Sequence, residues 1–417
     1  MKISIIYLSS FIIFSQIALS AVNKNIKLND VVKIVSEQNY NLKENAYKVY
    51  QAKENIEKAR ADLLPRLNLW NIVGVILDPT SLVDKISDAA PFLIPANWFR
   101  LEEIKILSLA EKEGYRALWG NEVFAAKALY RHTLYDQQLL LHIQQSIKDL
   151  EKILLVVKTK ELFGGAKPGT ARNVEVRILG LKEDEVNLKV LISLEKDELS
   201  YALGYPAETN LRLSSIDIPK IETLKELDKR TFEFKMLSTS PERRQFDHFL
   251  SVIKQIKKEQ QYNFWGVSSI SRGVAGGIFD SLPISNGVGN SAEASEKIID
   301  AQKEILKVQK RGIEETLKRQ LKATVTVYNS DIKNYKNYQR RQVLAKESKE
   351  SIYRRLQLGE NLDVLELVEA SKNEIQAQTA IFTVWYRVIN SQDKLNRLTF
   401  DRDYSKLPPV MSSLKGE

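Results

Sequence analysis

The sequence contains no cysteine and only three histidines. The lack of cysteine excludes disulfide bonds, thiol chemistry and a lipid-modified N-terminal cysteine, so any attachment to a membrane must be made by the rest of the polypeptide. The histidines, His132, His142 and His248, lie in helical patterns without a cluster of ligands nearby in the sequence, so no metal site is predicted. A glycine-rich phosphate loop after a strand and a Ser/His/Asp arrangement are also missing, so we expect neither an enzyme nor a cofactor.

Long apolar runs are missing as well, except at the N-terminus. Residues 1–20 combine one lysine, an apolar run and the small residues Ala18 and Ser20, which is the layout of a cleavable secretory signal. We therefore expect the mature chain to begin near Ala21 and to work outside the cytoplasm. No later stretch of about 18 apolar residues follows, which argues against a transmembrane α-helix.

The positive charge of the chain is spread out. A net charge of +9 results from 62 lysines and arginines against 53 aspartates and glutamates. These residues alternate along helix-like surfaces and do not form a basic block, and basic clusters with interleaved aromatic residues are missing. The pattern favours solvated helix faces over nucleic-acid binding.

What the sequence does contain is long helical periodicity. The stretch from Trp98 to Phe163 has no proline, and its apolar residues keep a coiled-coil spacing of three and four. The residues of this seam are Leu140, Ile143, Ile147, Leu150, Leu154 and Val157. At 1.5 Å per residue such a helix is about 100 Å long. The short GGAKPG break at 164–169 leads into a second helix that ends near Leu203, so the pair is predicted to be an antiparallel hairpin.

The order of helix, insert, long helix, break and helix occurs twice, with an offset of roughly 190–200 residues that indicates an internal duplication. In the first copy, one helix is predicted to run without interruption from Leu28 to Leu64. The predicted parts are a signal peptide (1–20), a first repeat (21–206, with an insert at about 66–97), a linker or equatorial segment (207–239), a second repeat (240–400, with an insert at about 263–291) and a C-terminal tail (401–417).

Each insert has room for two strands of about ten residues, which is long enough to cross an outer membrane when tilted. Only a closed barrel can do so, because open sheet edges are not tolerated in lipid. Four strands cannot close a barrel alone, so several protomers would have to share one. Long amphipathic hairpins also need partner helices to bury their seams, which again predicts an oligomer.

Three stretches resemble the TolC outer-membrane efflux family. QNYNLKENAYKVYQAKENIEKARADLLPRLNL (38–69) resembles the first helix and the start of its strand, and SPERR (240–244) resembles the start of the second repeat. LGENLDVLEL (358–367), followed by Ala370 and ending in LNRLTF (395–400), resembles the last hairpin. The resemblance covers nearly the whole mature chain. It implies a mainly α fold of long antiparallel coiled-coil hairpins in two tandem repeats, with short β-hairpin inserts that join a trimeric outer-membrane β-barrel.

The resemblance also implies a function. The protein would be a homotrimeric channel-tunnel in the outer membrane, with a large periplasmic portion, and would serve as the exit duct for efflux or type I secretion. Its partners would be outer-membrane lipid, a periplasmic adaptor and an inner-membrane transporter, and the transporter would supply the energy. No catalytic residue, cofactor or metal is needed for this role.

Two groups of residues are candidate sites under this resemblance. Asp363-Val364-Leu365-Glu366 occupies the place of an Asp-Val-Leu-Asp pattern whose acids ring the tunnel constriction, and Glu360 lies just before it. Three chains would bring six carboxylates of Asp363 and Glu366 to one opening and attract cations. The alternative is that these acids cap a helix N-terminus. The aromatic residues that flank the inserts, either as a membrane-interface girdle or as core, are Trp70, Trp98, Phe99, Phe264 and Trp265.

Two other classes of protein are alternatives to a channel. The inserts are short and alternate weakly, and Pro91 and Pro95 interrupt the return of the first one, so a periplasmic TolC-like helical scaffold without a spanning barrel is the main alternative. An extracytoplasmic coiled-coil adaptor would carry a flattened β-barrel or a lipoyl-like domain between its helices. The duplicated plan and the absence of such a domain from the sequence argue against the adaptor.

Overall fold

The computed structural model describes residues 23–64, 91–207, 209–216, 220–266, 268–271, 279, 282–285, 289–358 and 364–406. The predicted signal peptide, residues 66–90 of the first insert, Glu360 and Asp363 lie outside these ranges. The described residues form two strands and eight α-helices: β1 (Asn23–Ile26), α1 (Leu28–Gln38), α2 (Tyr40–Asp62), α3 (Pro95–Leu162), α4 (Thr170–Ala202), β2 (Asn210–Leu213), α5 (Lys229–Thr239), α6 (Pro241–Tyr262), α7 (Asn290–Gln357) and α8 (Val364–Thr399). In this part of the chain no helix is both long enough and apolar enough to cross a membrane.

The chain divides into two compact units, and the three longest helices contribute residues to both. The first unit comprises Met1–Asn39, Ala125–Ile221 and Tyr335–Tyr386. The second comprises Tyr40–Phe124, Glu222–Asn334 and Arg387–Glu417.

The core of the first unit is formed by α3, α4, α7 and α8. Four members of the predicted α3 seam are buried in it, and the other two pack against it, which confirms the coiled-coil spacing read from the sequence. The buried residues of this core are Ile143, Ile147, Leu150, Ile153, Val157, Ala171, Val174, Ile178, Leu181, Leu188, Ile192 and Leu367. The Lys349 ammonium on α7 lies 2.9 Å from Asp149 Oδ2 on α3 and 2.8 Å from Glu374 Oε2 on α8, so one cation links three helices beside the apolar core.

A parallel pair of four-residue strands also belongs to the first unit. β1 and β2 pair in register from Asn23 with Asn210 to Ile26 with Leu213. The buried Tyr130 hydroxyl on α3 lies 2.9 Å from the carbonyl oxygen of Ile26 and 2.7 Å from that of Ser214, where both strands end. Burial raises the pKa of Tyr130 to about 12, so the hydroxyl keeps its proton. The sequence does not predict this pair, since residues 207–239 are predicted only as a linker or equatorial segment.

The predicted continuous helix from Leu28 to Leu64 is wrong at Asn39, where α1 ends and α2 begins after one non-helical residue. Asn39 is buried, and its side-chain amide donates to the carbonyl oxygen of Ala202 at 2.8 Å. This bond satisfies one of the carbonyls that the end of α4 leaves without an intrahelical partner. The break therefore anchors the end of α1 to the end of α4.

In the second unit, apolar residues of α3, α6 and α7 form one core cluster, and those of α5, α7 and α8 form another. Two buried residues, Arg100 and Glu259, join α3 to α6 through a contact of 2.6 Å. The predicted helix start at SPERR is confirmed. The Ser240 hydroxyl accepts from the Arg243 backbone N–H at 3.2 Å, and Pro241 occupies the first helical position, where its missing N–H costs nothing.

The described ends of the two inserts belong to this second unit and are not strands. Pro91–Leu93 forms a 3-10 turn, and α3 begins at Pro95, three residues before the helix start predicted at Trp98. Asn263–Trp265 forms a 3-10 turn directly after α6. The strands predicted for the first insert fall on residues that the structure does not describe, as do several residues of the second.

Replacing Gly204 by alanine is expected to destabilise the first unit. Gly204 has a φ of +75°, and an added Cβ would lie 2.1 Å from the carbonyl oxygen of Gln38. Strain and overlap together should lower the free energy of unfolding by about 1–3 kcal/mol. Gly180 lies inside α4 with nothing within 4 Å of an added Cβ, so Gly180→Ala should instead raise that free energy by about 0.5–1 kcal/mol. Urea unfolding followed by circular dichroism measures both changes, and equal effects of the two substitutions would contradict this account.

Candidate functional site

The turn of the first hairpin is closed by backbone contacts and by one carboxylate. After α3 ends, the Gly165 N–H donates to the carbonyl oxygen of Lys160 at 2.7 Å, and Gly164 takes a φ of +73° that favours glycine. The Glu161 carboxylate accepts from the Ala171 backbone N–H at 2.8 Å, in the first turn of α4. In this hairpin, then, an acid does cap the helix that follows the turn.

The second hairpin turns between α7 and α8, where the acidic residues were predicted. Glu360 and Asp363 fall in residues 359–363, outside the described part of the chain. Glu366 lies in the first turn of α8 and is exposed, whereas the next residue, Leu367, is buried in the core of the first unit. Successive helical residues point about 100° apart, so the burial of Leu367 turns Glu366 away from that core.

The Glu366 carboxylate has no hydrogen bond or ion pair with any residue that the structure describes. It therefore differs from Glu161, which caps the corresponding helix of the first hairpin. Leu367 packs in the same cluster as Val157, Ala171 and Val174, so one apolar core holds the ends of both hairpins. The Glu366 carboxylate is thus exposed to solvent at the start of α8, and the burial of Leu367 holds this end of the helix in place.

The aromatic residues predicted at the insert ends are mostly exposed. Trp98, Phe264 and Trp265 are exposed in the second unit, and Trp70 lies outside the described residues. Phe99 is half-buried and packs on Tyr262, with ring centroids 5.3 Å apart. The Trp98 indole N–H donates to the Phe92 carbonyl oxygen at 2.8 Å, which holds the ring in place while leaving its faces open.

One buried side chain joins the ends of the two inserts. The Asn97 carbonyl oxygen accepts from the Ser268 hydroxyl at 2.8 Å and from the Ser269 N–H at 3.0 Å, and its amide donates to the Pro91 carbonyl oxygen at 2.7 Å. The aromatic residues on both sides are thereby gathered at one place. We call Phe92, Trp98, Tyr262, Phe264 and Trp265, all of them exposed, the aromatic patch.

The structure also brings together a cluster that sequence analysis missed. His132 and Asp136 lie one turn apart on α3, and Glu195 of α4 lies opposite them, with His132 Nδ1 at 2.5 Å from Glu195 Oε1. Burial, together with the negative charge of Glu195, raises the pKa of Asp136 to about 6. The spacing of His132 and Asp136 is visible in the sequence, but their neighbour is 63 positions from His132 along the chain. Only the packing of α3 against α4 brings it there.

Neither the protein-family models nor the sequences of curated proteins give a match to this chain. Solved structures do match it. The outer membrane channel CmeC of Campylobacter jejuni gives a TM-score of 0.67 at 12% identity, covering 89% of this chain and 85% of that one. The open state of the outer membrane channel MtrE of Neisseria gonorrhoeae gives 0.67 at 14% identity, over 89% and 88%. The outer membrane protein VceC of Vibrio cholerae gives 0.68 at 11% identity, over 89% and 95%.

At such low identities the likeness is one of backbone arrangement. It extends over most of this chain and of each neighbour, and it confirms the predicted mainly α architecture of long antiparallel helical hairpins. The chain therefore has the TolC-like fold of outer-membrane channels.

Proposed function

We propose that three copies of this chain form an outer-membrane channel that serves as an exit duct for an inner-membrane transporter. The observation that carries the proposal is the likeness to solved outer membrane channels over most of the chain. Such a duct needs no catalytic group, because the transporter supplies the energy. Efflux of small molecules and type I secretion of a protein both require the same duct, with a periplasmic adaptor joining it to the transporter.

A second apolar seam on α4 supports the trimer. The buried face of this helix packs inside the first unit, while a different face exposes five aliphatic side chains, each between 55% and 68% exposed. They are Val176, Leu179, Val186, Val190 and Leu194. Successive members are three, seven, four and four residues apart, which is the spacing of a coiled-coil seam. Continuous apolar surface of this kind marks an interaction site, and helices of a neighbouring copy have the matching geometry.

Exposed residues at the hairpin turns and at the insert ends support the proposed contacts with an adaptor and with lipid. Leu162 and Phe163 at the first hairpin turn and Leu358 at the second are all more than four-fifths exposed. Exposed apolar residues at a turn suit a contact with another protein, and we assign them to the periplasmic adaptor. The aromatic patch has the composition of a membrane-interface belt, so we assign it to the boundary between the periplasm and the outer-membrane lipid.

We assign the acids at the second hairpin to the periplasmic opening of the duct. Glu366 points away from the core of the first unit and has no described partner, which suits a charge that faces an aqueous path. With Asp363 it would give the trimer a ring of six carboxylates, and such a ring attracts cations and raises the barrier for anions. Capping by Asp363 is compatible with this role, because a carboxylate at a helix N-terminus still carries its charge.

Substitution at the exposed seam should break the trimer. Val186→Asp places a charge in an interface that must lose its water, which costs several kcal/mol and should raise the dissociation constant of the trimer by well over about tenfold. Asn173→Asp adds the same charge at an exposed position of α4 that lies about 60° or more around the helix from every residue of the seam, and it should leave the trimer intact. Analytical ultracentrifugation in detergent measures the mass of each variant. Trimers of undiminished stability with Val186→Asp would refute this use of the seam.

Neutralising the acids should change ion selectivity. In planar bilayers, the Asp363→Asn, Glu366→Gln double variant is expected to lower the cation-over-anion permeability ratio by about twofold or more, because six charges leave the opening. Glu175→Gln in the corresponding turn of the first hairpin is the control and should leave the ratio unchanged. Unchanged selectivity of the double variant would leave helix capping as the role of these acids.

The alternative function is a periplasmic TolC-like helical scaffold without a spanning barrel. The observation in its favour is that the described residues of both inserts contain no strand. The two functions differ in whether the second insert reaches the cell surface.

A single cysteine distinguishes these functions, because the native chain has none. If the protein is a channel, Asn286→Cys should react with a membrane-impermeant maleimide on intact cells, while Arg172→Cys near the first hairpin turn should not. Labelling of Asn286→Cys only after the outer membrane is permeabilised, with the protein folded, would favour the scaffold. The readout is the extent of labelling of each variant before and after permeabilisation.

A further inference from the structure

We propose that His132, Asp136 and Glu195 form a binding site for a divalent transition-metal ion, with Zn²⁺ as the ion that suits them best. The site lies in the first unit, between α3 and α4, and has no part in the function proposed above. Nothing in an exit duct requires a metal here, so the two proposals stand or fall separately.

The geometry brings three ligand atoms to one point from two helices. His132 and Asp136 share a face of α3 because they are four residues apart, and their Nδ1 and Oδ2 atoms are 3.6 Å apart. Glu195 comes from α4, with its Oε1 atom 2.5 Å from the same Nδ1. All three residues offer one ligand atom each within 4.8 Å of the others. Among the residues that the structure describes, this is the only group of three or more histidine, cysteine, aspartate or glutamate side chains whose ligand atoms lie close enough together to hold one ion.

Both carboxylates are buried without enough partners. The side chain of Asp136 is only 5% exposed and that of Glu195 only 8% exposed. One oxygen of each, Asp136 Oδ2 and Glu195 Oε2, is buried and has no hydrogen-bond partner. When both are ionised, the two carboxylates bring two like charges to one buried place. Buried charge of this kind is costly unless a cation compensates it, and a divalent ion would compensate both carboxylates.

The ligand set selects the class of metal. One imidazole nitrogen and two carboxylate oxygens form a set typical of Zn²⁺ and related first-row ions such as Co²⁺ and Mn²⁺. Ca²⁺ and Mg²⁺ prefer oxygen ligands alone, which makes a histidine a poor choice for them. Soft ions such as Cu⁺ are selected by sulfur ligands, and this cluster offers none.

Small side-chain movements would complete the coordination. Zn²⁺ binds nitrogen and oxygen at about 2.0–2.2 Å, so tetrahedral ligands lie about 3.3 Å from one another. The present separation of 2.5 Å between His132 Nδ1 and Glu195 Oε1 would have to widen, and the ion would take the place of the direct contact between these two atoms. The imidazole is held by contacts with the Tyr135 and Tyr386 rings, at centroid distances of 6.0 and 5.3 Å. Such outer contacts orient a ligand before the metal arrives.

The site is open on one side. The His132 side chain is 40% exposed, in contrast to the two buried carboxylates. An ion can therefore enter from solvent past the imidazole, and a water molecule can complete its coordination. A bound ion would join α3 to α4 and should stabilise their packing, because anything that binds only the folded state raises its stability.

The test uses the full chain, purified in detergent with an affinity tag that contains no histidine and treated with a chelator. Titration with ZnCl₂ by calorimetry is expected to show one ion per chain. Co²⁺, as a spectroscopic probe, should produce visible absorption bands that Zn²⁺ abolishes. Thermal unfolding should shift to higher temperature with Zn²⁺, and this readout does not depend on transport.

Three variants assign the binding to the cluster. Glu195→Gln and Asp136→Asn keep the shape of each side chain and remove a buried negative charge, so both should fold. His132→Gln alters a partly exposed side chain. Each should weaken Zn²⁺ binding by at least about 100-fold, beyond the roughly 10–100-fold that a change outside the ligand shell costs. His248→Gln, in the second unit, is the matched control and should bind Zn²⁺ as the native chain does.

Two results would overturn the proposal. One is a folded native chain that binds neither Zn²⁺ nor Co²⁺, which would make the cluster an ion pair between His132 and the carboxylates. The other is Zn²⁺ binding that persists in both Glu195→Gln and Asp136→Asn, or that is lost equally in His248→Gln. Either form of this second result would mean that the ion binds at the surface. Loss of the trimer or of ion selectivity would contradict the proposed channel without affecting this site.

Discussion

The structure depends on burying apolar seams that no single helix can bury. The helices that form the hairpins have 33 to 68 residues, and a helix of this length is stable in water only where partners cover its apolar face. In the first unit, α3, α4, α7 and α8 supply those partners to one another along one continuous core. α4 is the informative case, because it carries one seam that this core covers and a second that the chain leaves exposed. A helix with two seams is suited to a closed ring of helices, in which each member has a neighbour on both sides.

Charged residues complete this packing where apolar side chains alone would leave the helices free to slide. Lys349 holds carboxylates of two other helices, Arg100 and Glu259 are buried together, and Asp331 binds the Arg387 guanidinium. Burial raises the pKa of Asp331, and Arg387 opposes that shift. A coiled-coil seam repeats every seven residues, so neighbouring registers bury similar area. A shift to another register would separate these charged pairs, so the pairs favour a single alignment of the helices.

Local patterns in the sequence predicted the helices well. Features that depend on contacts between distant residues could not be predicted from it. The hairpin breaks, the α3 seam and the Ser240 cap depend on residues within a few turns of one another, so periodicity and turn chemistry were sufficient. The break at Asn39 depends on the carbonyl of Ala202, the strand pair depends on partners from distant segments, and the cluster at His132 depends on Glu195. None of these has a local signature. For the acidic turn, Glu366 is placed as an exposed residue of the first helical turn, and the positions of Asp363 and Glu360 stay predictions.

The parallel pairing of β1 with β2 has a consequence for the order in which the chain folds. Asn23 pairs with Asn210, so the first strand stays without its partner until the whole first hairpin has been made. The α3–α4 hairpin lies between the two strands and is built from nearer contacts, so it can form earlier and bring residues 210–213 back towards the first strand. The two-stranded sheet is thus a late closure, made only after the hairpin that separates its strands along the chain.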